Sequence, residues 1–183
     1  MIMTVKNIII SAGDLLGIGD QVRDEIERDA DSKIVQCLLK CYNLVENELS
    51  VDYFPLLFEE TVSSDTGALY FESFSKKPVR IIKVVDAWEN EIPFKLFPNF
   101  LKTQTGKVCV RYAYEPEEKK LQSKGEVSLH VSERLIAYGV ASEYALASGL
   151  FEEASAWDKK YKDAISAVYR ANPARKISAR RWV

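Results

Sequence analysis

The sequence predicts an α+β fold: a helical bundle formed by the N- and C-terminal helices, with a small antiparallel β-sheet or barrel lobe inserted between them. Two observations predict it. Apolar residues recur every three or four positions in residues 1–54 and again after residue 131, which is the period of an amphipathic helix. Between residues 55 and 116 the pattern changes to short runs of β-branched and aromatic residues separated by turns. Elements segregated along the chain in this way are typical of α+β proteins.

Three helices are predicted in residues 1–54. Thr4 can cap the first, because a threonine hydroxyl accepts a hydrogen bond from the first turn, and Gly17 ends it. A short charged helix is predicted over residues 20–28. A longer helix begins at Ser32 and carries its apolar side chains on one face: Ile34, Leu38, Cys41, Tyr42, Val45 and Leu49.

Four or five strands are predicted in the inserted β lobe, residues 55–116. The candidate strands cover residues 57–62, 68–74, 79–85, 92–97 and 108–114. Pro93 and Pro98 argue that the fourth of these lies at a sheet edge or is bulged, because proline cannot donate to a neighbouring strand. The aromatic residues lack the interleaved basic residues of a base-stacking surface and are predicted to form the sheet core: Tyr70, Phe71, Phe74, Tyr112 and Tyr114.

The sequence of residues 117–173 predicts two antiparallel helices joined by a tight turn. Gly149 can end the first helix, because glycine takes positive φ at little cost, and Pro173 cannot continue the second. Small residues on the first helix let another backbone approach closely. They can belong to an ordinary helical hairpin core, and three are predicted to contact a second subunit: Gly139, Ser142 and Ala145.

The C-terminal segment, residues 174–183, is predicted to be a basic docking tail. It combines four positive charges with apolar anchors: Arg175, Lys176, Ile177, Arg180, Arg181, Trp182 and Val183. Trp and Arg are frequent anchors of interfaces, and a segment of this kind can become ordered on a partner. The residues alone leave a second interpretation open, in which Trp182 folds back onto its own domain.

The composition argues against several function classes. The chain has 25 Lys and Arg against 27 Asp and Glu, whereas a dedicated duplex-DNA binder carries a basic excess. No apolar run approaches the ~20 residues of a membrane helix. With one histidine, His130, and no Cys-x-x-Cys pair, we expect no enzyme, no cofactor and no metal site. A hydrolase that uses carboxylates stays open, since such pairing depends on three-dimensional spacing.

Five stretches carry a resemblance to a known family, and they are distributed over nearly the whole chain. They read IIISAGDLLG (residues 8–17), CLLKCYNLVENELSVDYFPL (37–56), GALYFESFSKKPVRIIKVVD (67–86), YGVASEYALASGLFEEASAWDKKYKDAI (138–165) and ARRWV (179–183). The order of these stretches and their general residue pattern resemble those of the head-to-tail adaptor, or connector, proteins of tailed bacteriophages, especially the tail-tubular type of short-tailed phages.

The resemblance implies a structural virion protein. Members of this family form a ring, usually a dodecamer, between the portal protein and a downstream tail component, and DNA passes through the lumen without specific binding. The segment 174–183 would then be the portal-docking arm. The expected location is the head–tail junction of the virion, and the host cytoplasm during assembly. The alternative is a ring-forming phage protein that handles DNA, such as a small terminase subunit, which would bind duplex DNA in a salt-sensitive manner.

Overall fold

The computed structural model describes residues 3–28, 32–121 and 127–171, and the chain has the predicted α+β fold. It divides into two compact units: the first draws on residues 1–45 and 119–183, and the second comprises residues 46–118. The sequence placed these boundaries at 54/55 and 116/117. The first differs because a π-helical turn, Leu49–Tyr53, contacts the last strand of the β region and therefore belongs with it.

The first unit is helical, and its helix ends carry the capping residues that the sequence predicts. The hydroxyl of Thr4 accepts a hydrogen bond from the Asn7 N–H (3.2 Å), and that of Ser132 accepts one from the Leu135 N–H (3.3 Å). The predicted helices are confirmed to within about two residues at most ends. They are α1 (Val5–Leu15), α2 (Gly19–Glu27), α3 (Lys33–Glu48), α4 (Glu133–Ala147) and α5 (Phe151–Ala171).

Helices from both ends of the chain pack together in this unit. α1 contacts α2 and α4, and α4 contacts α5 along its length. Ile8 of α1 and Leu135 of α4 are fully buried. The hydroxyl of Ser11 donates a hydrogen bond to Oε1 of Glu133 (2.5 Å), which adds a polar link between α1 and α4. The closure of these helices into one bundle stays a prediction.

The second unit contains two small antiparallel sheets instead of the single sheet or barrel predicted. β1, β6 and β3 form the larger sheet, with β6 in the centre, and β2, β5 and β4 form the smaller one, with β5 in the centre. The strands are β1 (Leu56–Ser64), β2 (Ala68–Tyr70), β3 (Pro78–Val85), β4 (Lys95–Leu96), β5 (Phe100–Lys102) and β6 (Gly106–Tyr114).

One hydrophobic cluster lies between the two sheets. Because strands of both sheets contribute to it, burial of their inner faces stabilises the second unit as a single body. Its buried members are Leu69, Phe74, Ile81, Val84, Leu101, Val108, Val110 and Tyr112.

Two strand predictions were too long, and β5 was not predicted. The strand that starts at Ala68 ends at Tyr70, where the chain turns into a 3-10 helix, and the Ser73 hydroxyl donates to the Tyr70 carbonyl (2.7 Å). The predicted strand over residues 92–97 contains only the two residues of β4. This strand lies at a sheet edge, as Pro93 and Pro98 predict.

Candidate assembly surfaces

The predicted docking tail lies outside the described residues, which end at Ala171 of α5. Its role in docking therefore stays a prediction. The residues concerned are Arg175, Lys176, Ile177, Arg180, Arg181, Trp182 and Val183.

The small residues of α4 are used inside the chain, where α5 packs against them. The hydroxyl of Ser142 donates a hydrogen bond to the Ala154 carbonyl of α5 (3.0 Å), and Ala145 is fully buried. The close backbone approach that small residues allow is thus made by a helix of the same chain. A contact of these residues with a second subunit stays a prediction, and Ala145 is buried within its own chain.

Gly139 is the closest point of this packing. A Cβ atom at this position would lie 2.7 Å from Cγ1 of Val45 and 2.9 Å from Cε2 of Tyr161. Both separations are shorter than an ordinary carbon–carbon contact, so α3, α4 and α5 meet here only because the residue has no side chain. A glycine therefore fits this contact better than any residue with a side chain.

The turn between α4 and α5 forms an exposed apolar surface, which we call the hairpin tip: Leu146, Leu150 and Phe151. The turn is well hydrogen-bonded, since the Leu150 N–H donates to the Ala145 carbonyl (2.9 Å) and Gly149 takes a φ of 77°. Phe151 is the most exposed of the three, at 69%. A fixed turn therefore presents three large apolar side chains to solvent.

Two stacked aromatic rings and two neighbouring cations join α4 to α5. The Tyr138 and Trp157 rings are stacked, with centroids 5.8 Å apart. Lys160 places its Nζ 4.0 Å from the Trp157 ring, and Arg134 lies over the Tyr138 ring and donates to its hydroxyl. Such cation–π contacts contribute about 0.5–1 kcal/mol each at exposed sites. Trp157 thus packs within the helical pair, as its place on the apolar stripe predicts.

The smaller sheet carries an exposed aromatic and basic surface, which we call the aromatic–lysine face: Tyr70, Lys95, Phe97, Phe100 and Lys102. Residues directly opposite each other on antiparallel strands lie on the same side of the sheet. Tyr70 is opposite Phe100, and Lys95 is opposite Lys102, so these pairs lie on the side away from the buried Leu101. Phe97 joins the face by stacking on Phe100, with ring centroids 4.6 Å apart.

This face corrects one prediction about the aromatic residues. Phe74 and Tyr112 are buried in the core as predicted, but Tyr70 is 58% exposed and lies beside Phe100, 5.5 Å away between ring centroids. Lys102 also lies on this side, so basic residues do accompany the exposed aromatic rings. The sequence did not reveal this arrangement, because it depends on the pairing of β2 with β5.

A hydrogen-bonded carboxylate holds the segment after the 3-10 helix to the larger sheet. Glu60 of β1 accepts from the Ser75 N–H (3.0 Å) and hydroxyl (2.5 Å), and from the hydroxyl of the buried Tyr112. Burial raises the pKa of Glu60, but these hydrogen bonds outweigh it and hold the pKa below its ordinary value. Burial, followed by the bond to Glu60, raises the pKa of the Tyr112 hydroxyl. The carboxylate and the phenol thus keep fixed roles as acceptor and donor.

The described ranges contain no group of three or more His, Cys, Asp or Glu side chains placed to hold a metal ion. None of the helices in those same ranges has the length and apolar character needed to cross a membrane.

The sequence matches no protein-family model, and no curated protein matches it. Its function therefore has to be inferred from the surfaces described above and from the layout of the sequence.

Proposed function

We propose that this chain is a subunit of the head-to-tail adaptor of a tailed bacteriophage, a structural protein without enzymatic activity. It works as a homo-oligomeric ring between the portal protein and a downstream tail component. The supporting observation is that each unit displays its own exposed apolar surface, the hairpin tip on the first and the aromatic–lysine face on the second. Extended exposed apolar surfaces mark contacts with other proteins.

Several separate contact surfaces are what a subunit of an adaptor ring needs. In a ring each subunit contacts its neighbours through a heterologous interface, in which one surface meets a different surface of the next copy. An adaptor also needs a contact with the portal. The basic segment 174–183, with four cations and Trp182, is the proposed portal-docking arm, because Arg and Trp are effective anchors at interfaces.

The charge of the chain supports passage of DNA without specific binding. The formal net charge is −2, and the second unit has thirteen acidic against eight basic residues, a net charge of −5. A wall with this net negative charge repels phosphates, whereas a strongly basic wall binds them. The proposed location is the head–tail junction of the virion, with the host cytoplasm as the place of assembly.

The first experiment is to measure the mass of the full chain in dilute solution, alone and with the portal protein encoded by the same genome. We expect a monomer that forms a ring of defined mass only when the portal is present. A ring that forms alone and retains duplex DNA at moderate salt would instead support the small terminase subunit. Binding of duplex DNA that weakens steeply with added salt would support that alternative further.

A truncation tests the docking arm. We expect deletion of residues 174–183 to abolish attachment to portal rings, with the helical circular dichroism signal and the melting temperature unchanged. A matched control changes Arg180→Lys and Arg181→Lys, which keeps the charge and the length of the segment. A truncated chain that joins portal rings as well as the full chain does would rule out the docking role.

A further inference from the structure

The loop between β3 and β4, residues 86–91, presents a tryptophan to solvent in a fixed conformation. We call it the Trp loop, and its Trp88 side chain is 81% exposed. Asp86 organises the loop: its Oδ1 accepts from the N–H groups of Trp88 (2.8 Å) and Asn90 (2.9 Å), and its Oδ2 accepts from the Asn90 side chain (3.2 Å). A bulky anchor on a loop that is already ordered loses little entropy when it binds.

The same loop is strongly acidic. It contains Asp86, Glu89 and Glu91 and no basic residue. Glu89 has a φ of 66°, a left-handed conformation that is uncommon for a residue other than glycine, and both glutamates are exposed. The Trp loop therefore combines one large apolar side chain with three carboxylates, and Lys83 and Lys107 of the neighbouring strands lie beside its Asp86 and Glu89.

The aromatic–lysine face of the same unit has the complementary chemistry. Its three aromatic rings are exposed or half-buried, and its two lysines are directly opposite each other on β4 and β5. Like charges at opposite positions of neighbouring strands repel, so an anionic partner would stabilise this pair. Among the described residues, no ion pair holds Lys95 or Lys102.

Within one copy the Trp loop does not pack on the aromatic–lysine face. Trp88 could not be 81% exposed if its ring were stacked on Phe97 or Phe100, and Tyr70 is itself 58% exposed. The two complementary surfaces of one copy are therefore both available to other copies.

We propose that the Trp loop of one copy docks on the aromatic–lysine face of a second copy of this chain. The indole of Trp88 packs on the aromatic rings, while Glu89 and Glu91 approach Lys95 and Lys102. The loop and the face are different surfaces, so the contact is head-to-tail and each added copy leaves one loop and one face free until a ring closes. The inference rests on the self-assembly in the proposed function and names the surfaces that carry it.

Single-stranded nucleic acid is a less suitable occupant of this face. Aromatic rings beside lysines on a sheet can stack bases and attract phosphates. However, the second unit carries a net charge of −5, which opposes binding of a polyanion. A second copy of the chain has a formal net charge of only −2, so it meets less repulsion than a polyanion, and it brings the aromatic side chain that the face is suited to stack.

Charge reversal of the full chain tests the contact. One variant carries Glu89→Lys and Glu91→Lys, and the other carries Lys95→Glu and Lys102→Glu. Self-association is measured by analytical ultracentrifugation at low salt, over a concentration series that runs from the dilute range, where the chain alone is expected to be a monomer, to the highest accessible concentration. Each variant alone should associate at least about tenfold more weakly than the natural chain. An equal mixture should recover most of the association, because each reversed loop meets a reversed face and each natural loop meets a natural face.

Further variants separate the contact from general effects of charge. Asp65→Lys and Arg80→Glu change exposed charges elsewhere on the unit and should leave association unchanged. Trp88→Ala should weaken association by about 30-fold, as expected for an anchor residue. Because the Trp88 side chain is exposed, its removal should leave the chain folded, so weaker association would not be due to unfolding. Circular dichroism of the variant checks that the fold is unchanged.

Several outcomes would overturn the inference. It is wrong if the natural chain does not self-associate at any accessible concentration, or if the mixture of reversed variants associates no better than either alone. It is also wrong if Lys95→Glu with Lys102→Glu abolishes binding of a single-stranded oligonucleotide but leaves self-association intact. If the contact is found and the chain nevertheless ignores the portal, the inference holds and the adaptor function fails.

Discussion

Gly139 of α4 lies so close to Tyr161 of α5 that a Cβ atom on the glycine would be 2.9 Å from Cε2 of the tyrosine ring. The Val45 methyl group closes the other side at 2.7 Å. Tyr161 is buried, so its ring is packed among other atoms. The contact fixes the distance between the two helices of the hairpin.

We expect Gly139→Ala to destabilise the first unit. In an open helix this change would gain about 1 kcal/mol, but overpacking a core costs about 1–3 kcal/mol. The expected net result is a loss of up to about 2 kcal/mol, measured by urea unfolding. Ser166→Ala, an exposed change on α5, serves as the control and should have an effect within about 0.5 kcal/mol. A stabilised Gly139→Ala variant would contradict the close packing.

Tyr112→Phe should destabilise the second unit, because it removes a buried hydroxyl that donates to Glu60 and accepts from the Lys76 N–H (3.3 Å). Loss of a hydrogen bond to a charged group costs about 1.5–3 kcal/mol. Amide hydrogen exchange of β1 and β6 should become faster by the corresponding factor. Tyr70→Phe, a change of the same kind at an exposed ring, is the control and should leave exchange unchanged.

The same carboxylate gives the second unit a defined pH dependence. The pKa of Glu60 is lowered in the folded state from its ordinary value of 4.5. Its contribution to stability is therefore fully present above pH 4.5 and is lost as the pH falls through the folded pKa. We expect Glu60→Gln to remove part of the acid sensitivity of unfolding, whereas Glu59→Gln, its neighbour on β1, should retain it. Identical acid profiles for the two variants would show that Glu60 makes no such contribution.

The helices could be predicted accurately because their signals are local. A cap such as Thr4 or Ser132, an apolar side chain every three or four residues and a glycine such as Gly149 all act within a few residues of one another. The fold class follows from the order of such segments along the chain.

The smaller sheet and its outer face could not be predicted in the same way. β5 is a strand because Leu101 pairs with Leu69, which is distant in sequence, and with Leu96, from which a turn separates it. The side to which Tyr70 points is likewise set by that pairing, which a list of strand-forming residues does not contain. The predicted docking segment 174–183 has the composition of an anchor, but its partner is not encoded in its own residues.

Asp86→Ala should loosen the Trp loop without unfolding the second unit. The change removes the acceptor of three hydrogen bonds, from Trp88 and Asn90. Desolvation by itself raises the pKa of Asp86, but these hydrogen bonds outweigh it and hold the pKa below its ordinary value. We expect the Trp88 and Asn90 amides to exchange faster, at least about tenfold if about 1.4 kcal/mol of local stability is lost. Asp65→Ala, in another exposed loop, is the control. Unchanged exchange at both amides would contradict the organising role of Asp86.

Phe151→Ser should separate assembly from folding. The ring is 69% exposed at the hairpin tip, so its removal should change the free energy of unfolding by no more than about 0.5 kcal/mol. If the tip contacts another protein in the adaptor, the same change should weaken incorporation into rings on the portal, because exposed aromatic residues supply much of the binding energy of an interface. Leu44→Ser removes another exposed apolar side chain, 60% exposed on α3, and is the matched control. Equal incorporation of both variants would show that the tip faces solvent in the assembled ring. If Phe151→Ser loses incorporation and Leu44→Ser does not, the hairpin tip belongs to an interface. A general effect of surface hydrophobicity would reduce the incorporation of both variants.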